Sequence, residues 1–148
     1  MDRFTFIYYH EAQGLHLATR HRGNGTALVT INYDEKQIVQ ELAFFPPRIW
    51  GNINPEVHIV TMTDEWPVLL VGETGGNPPH FLGGFYRVWL DGSGTESFHY
   101  GARSHDFRVA DGWIYYQFPP LTRFAQVGWW RFRFDGSGRE FVGEDFPH

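Results

Sequence analysis

The chain has 148 residues, a formal charge of −5, eight histidines and no cysteine. That length suits one domain with a sizeable core. The acidic balance lacks the basic footprint of a nucleic-acid binder, and the absence of cysteine excludes disulfide and thiolate chemistry. Aromatic residues make up 18% of the chain and glycine supplies 17 positions. Aromatic and β-branched residues fit a pleated, half-buried surface, while Gly and Pro interrupt it; the expectation is an all-β domain. Met1–Thr5 opens no apolar stretch of signal-peptide length, and no segment approaches the roughly 20 apolar residues of a membrane span. A cytoplasmic protein without a membrane partner is expected.

In chain order, Phe6-Ile7-Tyr8-Tyr9 and Leu15–Thr19 read as strands, separated by the turn Gly23-Asn24-Gly25 from an alternating strand, Val29–Tyr33. Asp34-Glu35-Lys36-Gln37 is a turn without glycine. Glu35–Leu42 is the one stretch that competes as a helix, since Ile38, Val39 and Leu42 suit either state. Phe44–Pro47 and Asn52–Pro55 bracket Trp50 in an irregular linker. Two regular units follow. The first has strands over Val57–Met62 and Pro67–Gly72, and then a loop over Glu73–Phe81. Within that region Gly72–Asn77 is Gly-rich and reads as flexible, lacking the Lys-Ser/Thr of a phosphate loop. Gly84–Leu90 alternates, Asp91-Gly92-Ser93-Gly94 turns, and Ser97–Tyr100 is a strand. The second has strands over Phe107–Ala110 and Trp113–Tyr116, a loop over Gln117–Gln126, an alternating strand Gly128–Phe134, the turn Asp135-Gly136-Ser137-Gly138, and Glu140–Val142.

These two units repeat one another. Gly84–Glu96 is echoed without a gap by Gly128–Glu140, at an offset of 135 − 91 = 44 residues. A period of roughly 40–50 residues marks stacked supersecondary units. The N-terminal segment is a degraded third copy, in which Phe6–Tyr9 stands for Trp113–Tyr116 and Asp34 for the turn aspartate. The single domain 1–148 thus divides into units of roughly 4–45, 57–98 and 105–142.

Strand alternation separates two faces. Tyr86, Val88 and Leu90, Trp130, Phe132 and Phe134, and Val29, Ile31 and Tyr33 occupy equivalent positions on the expected core face. The opposite face carries Phe85, Arg87 and Trp89, matched by Trp129, Arg131 and Arg133. Rings beside planar guanidinium groups can stack on sugars or on partner side chains. These six are the candidate ligand-binding residues; the plainer alternative is that their face packs against the next unit.

Other constellations carry less. Each Asp-Gly-Ser-Gly run offers a cation few oxygens and reads as a tight turn, its Asp bonding its own backbone. Ser93 and Ser137 are equivalent turn residues and not a nucleophile. Asp64-Glu65 and Glu144-Asp145 are adjacent pairs that point to opposite sides of a strand. The histidines form no metal-binding spacing. No catalytic residue, metal ligand or cofactor is therefore assigned. His80, His99, His105 and Asp106 are the first residues to test for an alternative, a hydrolase-like or metal-dependent enzyme with a site built from loops.

The pattern apolar-Tyr-Arg-x-x-Leu-Asp-Gly-Ser-Gly over Phe85–Glu96 and its echo at Trp129–Glu140, with Asp111-Gly112-Trp113-Ile114-Tyr115-Tyr116 ahead of the second, resembles the YWTD-type β-propeller repeat of low-density-lipoprotein-receptor ectodomains and their bacterial relatives. The likeness covers Trp66–Val142; Gln117 departs from it where the family has Thr-Asp. It implies four-stranded antiparallel blades and binding of a protein or a carbohydrate through a propeller face, not catalysis. About three and a half periods fit the chain, fewer than the 4–8 blades of a typical propeller. Two chains completing one ring, a compact four-bladed ring, and a β-sandwich or barrel all stay open. A structural subunit of a larger assembly is a further reading. The strand Phe4–Tyr9 has an apolar edge without proline or lysine; it is expected to pair with the chain's own C-terminal strand or to form a homodimer, and the homodimer is preferred.

Overall fold

The computed structural model describes residues 4–47, 53–77, 79–118 and 128–145. Strands β1 (Thr5–His10), β2 (Leu15–Arg22), β3 (Gly25–Asn32) and β4 (Gln37–Phe45) form the first sheet. The middle sheet comprises β5 (Glu56–Met62), β6 (Pro67–Gly75), β7 (His80–Val88) and β8 (Thr95–Ala102). The third contains β9 (Phe107–Ala110), β10 (Trp113–Phe118), β11 (Gly128–Arg133) and β12 (Glu140–Gly143). Each sheet is an antiparallel meander in chain order, so the expected all-β architecture of repeated four-stranded units holds. Among the described residues there is no helix, and hence none long and apolar enough to cross a membrane.

Two local expectations change. The stretch from Glu35 that competes as a helix is strand from Gln37 onwards, because β4 pairs along β3 through Ile31↔Ile38 and Leu28↔Ala43 with two register shifts. The Gly-rich loop expected from Gly72 begins later: Gly72–Gly75 continue β6, and Glu73 is buried. Gly72 pairs with Gly83, and the Phe81 ring lies over both bare backbones, which lets the two strands and the ring approach closely. Trp50 and most of the loop expected over Gln117–Gln126 lie outside the described residues.

The middle sheet is buried on both faces. Leu69, Val71, Val88 and Leu90 pack with Leu17, Leu28, Leu42 and Phe45 of the first sheet and its flanks. On the other side Val68, Leu70 and Phe85 pack with Ile114, Tyr116 and Phe132 of the third sheet. A single core face on each strand was the expectation from alternation, and it fails here because a sheet placed between two others has no solvent side. Val88, Leu90 and Phe132 are buried as expected; Tyr86, Trp130 and Phe134 are part-exposed but pack against the same clusters.

The duplicated turns are built alike. The Ser93 and Ser137 N–H groups donate to Asp91 Oδ1 at 2.8 Å and Asp135 Oδ1 at 3.0 Å. Hydrogen bonds from the same serines, side chain first and backbone second, hold both carboxyls below the usual range. Gly92, Gly94, Gly136 and Gly138 all have positive φ, as expected. Gly136 faces a buried ring: at φ 87°, an added Cβ would lie 2.6 Å from Phe98 Cδ1, whereas at Gly92 it would meet the end of the flexible Gln40 side chain. Gly136→Val is expected to destabilise by about 1–3 kcal/mol, from left-handed backbone strain plus overlap with Phe98. A thermal melt superimposable on that of the unaltered protein would contradict this.

The first strands of the three sheets come together, β5 lying beside both β1 and β9. A cavity of about 620 Å³ is lined by Ile7 and Tyr8 of β1, Val57–Met62 of β5, and Phe107 of β9. Among the described residues β1 pairs only with β2, so pairing with the C-terminal strand, the less favoured of the two expectations for this edge, is absent and no sheet closes on another.

Candidate functional site

The six candidate ligand-binding residues separate according to which sheet carries them. Phe85 is fully buried, its ring edge-on to Tyr116 at 5.1 Å and to Phe132 at 5.0 Å. It lies inside the interface between the middle and third sheets and cannot meet a ligand. Arg87 sits in the same interface with 17% of its side chain exposed. Its guanidinium stacks on Trp66 at 4.6 Å and Trp89 at 4.5 Å and pairs with Glu96 at 3.3 Å. Phe85 thus packs against the next unit, while Arg87 and Trp89 stack on one another and on Trp66 within the middle unit.

The other half lies on the third sheet, on the face turned away from the middle one. Trp129 is buried under Arg108, whose guanidinium is 5.4 Å from its ring. Arg131 and Arg133 stand over Trp113 at 3.9 and 4.2 Å, and Arg131 also bonds Glu140 and, at 3.1 Å, the Tyr115 hydroxyl. Arg131–Glu140 repeats Arg87–Glu96 at the same offset of 44 residues, ion pair and aromatic stack included. Cations and rings, and among the described residues no fourth sheet, cover this face.

At the opposite end of the stack, the outer face of the first sheet is apolar. Ala18, Ala27, Val29 and Ile31 form its centre, with Phe4 and Ile38 against them. Around them stand Phe6, Tyr9 and Tyr33, which are 44%, 46% and 46% exposed. These rings cluster on His16, with centroids 5.7, 4.5 and 5.1 Å from it. Asp34 and Glu35, both exposed, turn the chain at its edge.

Histidines also meet between the middle and third sheets. Glu56 and His58 are two apart on β5 and so share a face; His105 comes from the turn before β9. His58 Nε2 and His105 Nε2 each lie 3.6 Å from Glu56 Oε1. The His58 imidazole is held below its ordinary value by burial first and by His105 second, against the opposing pull of Glu56. Of the four residues named for a loop-built site, only His105 joins this group; His80, His99 and Asp106 do not. Sequence reasoning missed Glu56 and His58. The signal was Glu-x-His on a strand, but their partner lies 105 − 58 = 47 residues on.

No family model, curated protein or solved structure matches the chain.

Proposed function

We propose that the protein is a non-enzymatic interaction module: a three-blade, propeller-like segment whose two end faces dock on a second copy of the chain. One observation carries the reading. The face of the third sheet bearing Trp129 and Arg131 is equivalent, by the repeat, to the face of the middle sheet bearing Phe85 and Arg87, and that middle face is covered by a sheet. The sheet covering it presents Trp130, Phe132 and Phe134, whose counterparts on the first sheet are Val29, Ile31 and Tyr33. The outer face of the first sheet is therefore the natural partner for the outer face of the third.

Charge supports the same pairing. Arg87 acts on Asp135 of the facing turn and favours its ionised form. In a docked pair, Asp34 would stand where Asp135 stands and Arg131 where Arg87 does. Two copies, each offering its first sheet to the other's third, give six sheets related by a two-fold axis. That number lies within the range of closed propellers. Sugar stacking on Phe6, Tyr9 and Tyr33 is less favoured, because the residues equivalent to Tyr33 are all packed against a sheet. Tyr33→Glu and Arg133→Glu, one on each face, are each expected to weaken self-association about 30-fold or more. Sedimentation velocity across a dilution series measures this; association unchanged in both variants would sink the docking scheme.

A further inference from the structure

We propose that Glu56, His58 and His105 form a transition-metal site, suited to Zn²⁺, in the interface between the middle and third sheets. The three candidate donor atoms lie within 4.8 Å of one another, and among the described residues no other His, Cys, Asp or Glu group is so disposed. Two imidazoles and one carboxylate are a ligand set that zinc and its first-row neighbours accept. With ligand bonds of about 2.0–2.1 Å, tetrahedral donors stand roughly 3.3–3.4 Å apart. Both His–Glu separations, 3.6 Å, are within a few tenths of that.

The surroundings are arranged as supports for ligands. The Thr74 hydroxyl donates to Glu56 Oε2 at 2.7 Å, which leaves Oε1 for the two imidazoles. Such partners fix the orientation of a ligating carboxylate. The Phe81 ring lies tilted against His105 with centroids 4.0 Å apart and stands edge-on to His58 at 6.3 Å, so an apolar wall closes one side. Ser104 Oγ accepts from the Asp106 N–H at 3.0 Å and shapes the turn that brings His105 in. His58 Nε2 is shielded from water, and Glu56 Oε1, 3.6 Å away, lies just beyond a normal hydrogen bond. A buried ring nitrogen with so long a polar contact is under-satisfied, and a cation between it, Glu56 and His105 would satisfy it. Three protein ligands leave a fourth tetrahedral position open.

The test is titration of the metal-free full chain with Zn²⁺ by calorimetry, and with Co²⁺ by visible absorption. One ion per chain is expected, with intense d–d bands from tetrahedral Co²⁺. His58→Ala, His105→Ala and Glu56→Gln should each weaken binding more than about tenfold, and Thr74→Val by about tenfold. His80→Ala and His99→Ala should leave it unchanged. His105 and Glu56 are exposed or half-buried, so those variants give the answer even if His58→Ala fails to fold. Absence of stoichiometric uptake, or uptake that survives both Glu56→Gln and His105→Ala, would overturn the assignment.

Discussion

Phe132→Ala is expected to lower the unfolding free energy by about 3–5 kcal/mol, the range for truncating a fully buried aromatic ring. Phe132 has no exposed surface and is the hub of the largest aromatic cluster. Its ring meets Phe85 at 5.0 Å, Tyr100 at 5.1 Å, and Phe98 and Tyr116 each at 5.6 Å. Most of these contacts are edge-to-face, the geometry that aromatic quadrupoles favour. Four rings from three strands cannot all move in to fill the space, so the vacancy would persist. Chemical denaturation of the variant measures the loss. A loss under 1 kcal/mol would mean that the middle and third sheets are not packed through this ring.

Gly72→Val should cost about 3 kcal/mol for a different reason. A Cβ at Gly72 would overlap the Leu82 carbonyl oxygen and lie 2.5 Å from Gly83 Cα and 2.6 Å from Phe81 Cζ. Two of those three neighbours are backbone in the paired strand and cannot rotate away. Overpacking of this kind costs about 1–3 kcal/mol, and more where the backbone must move. Gly101→Ala is the internal comparison, since its Cβ would meet only the Gly83 carbonyl at 3.6 Å. Equal melting temperatures for Gly72→Val and Gly101→Ala would show that β6 and β7 do not approach as closely as described.

Much of the fold was legible in the sequence, because the repeat and the alternation are local signals. Gly84–Glu96 and Gly128–Glu140 locate strand, turn and strand by their own chemistry, and their Asp-Gly-Ser-Gly turns form as read. The stacking order was not legible. Phe85 and Trp129 are equivalent by alternation and by repeat, yet one is covered by a sheet and the other by Arg108. That difference depends on which unit has a neighbour, and no residue within the unit encodes it. Gly72 failed differently: glycine signals a loop when read alone, and becomes a strand residue only because Gly83 and Phe81 complement it from β7. The Glu56–His58–His105 group was hidden by sequence distance, since β5 and the turn before β9 are brought together only when the sheets stack.

The docking scheme joins the outer faces at the two ends of the stack, through the exposed Phe6, Tyr9 and Tyr33 on the first sheet and the Arg131–Arg133 face of the third. Sedimentation equilibrium of the unmodified chain at micromolar concentration tests it most directly. The expected result is a species of twice the 17.2 kDa of one chain, closed at two copies and not growing further as concentration rises. A monomer that persists throughout the micromolar range, or an open series of ever larger species, would contradict it.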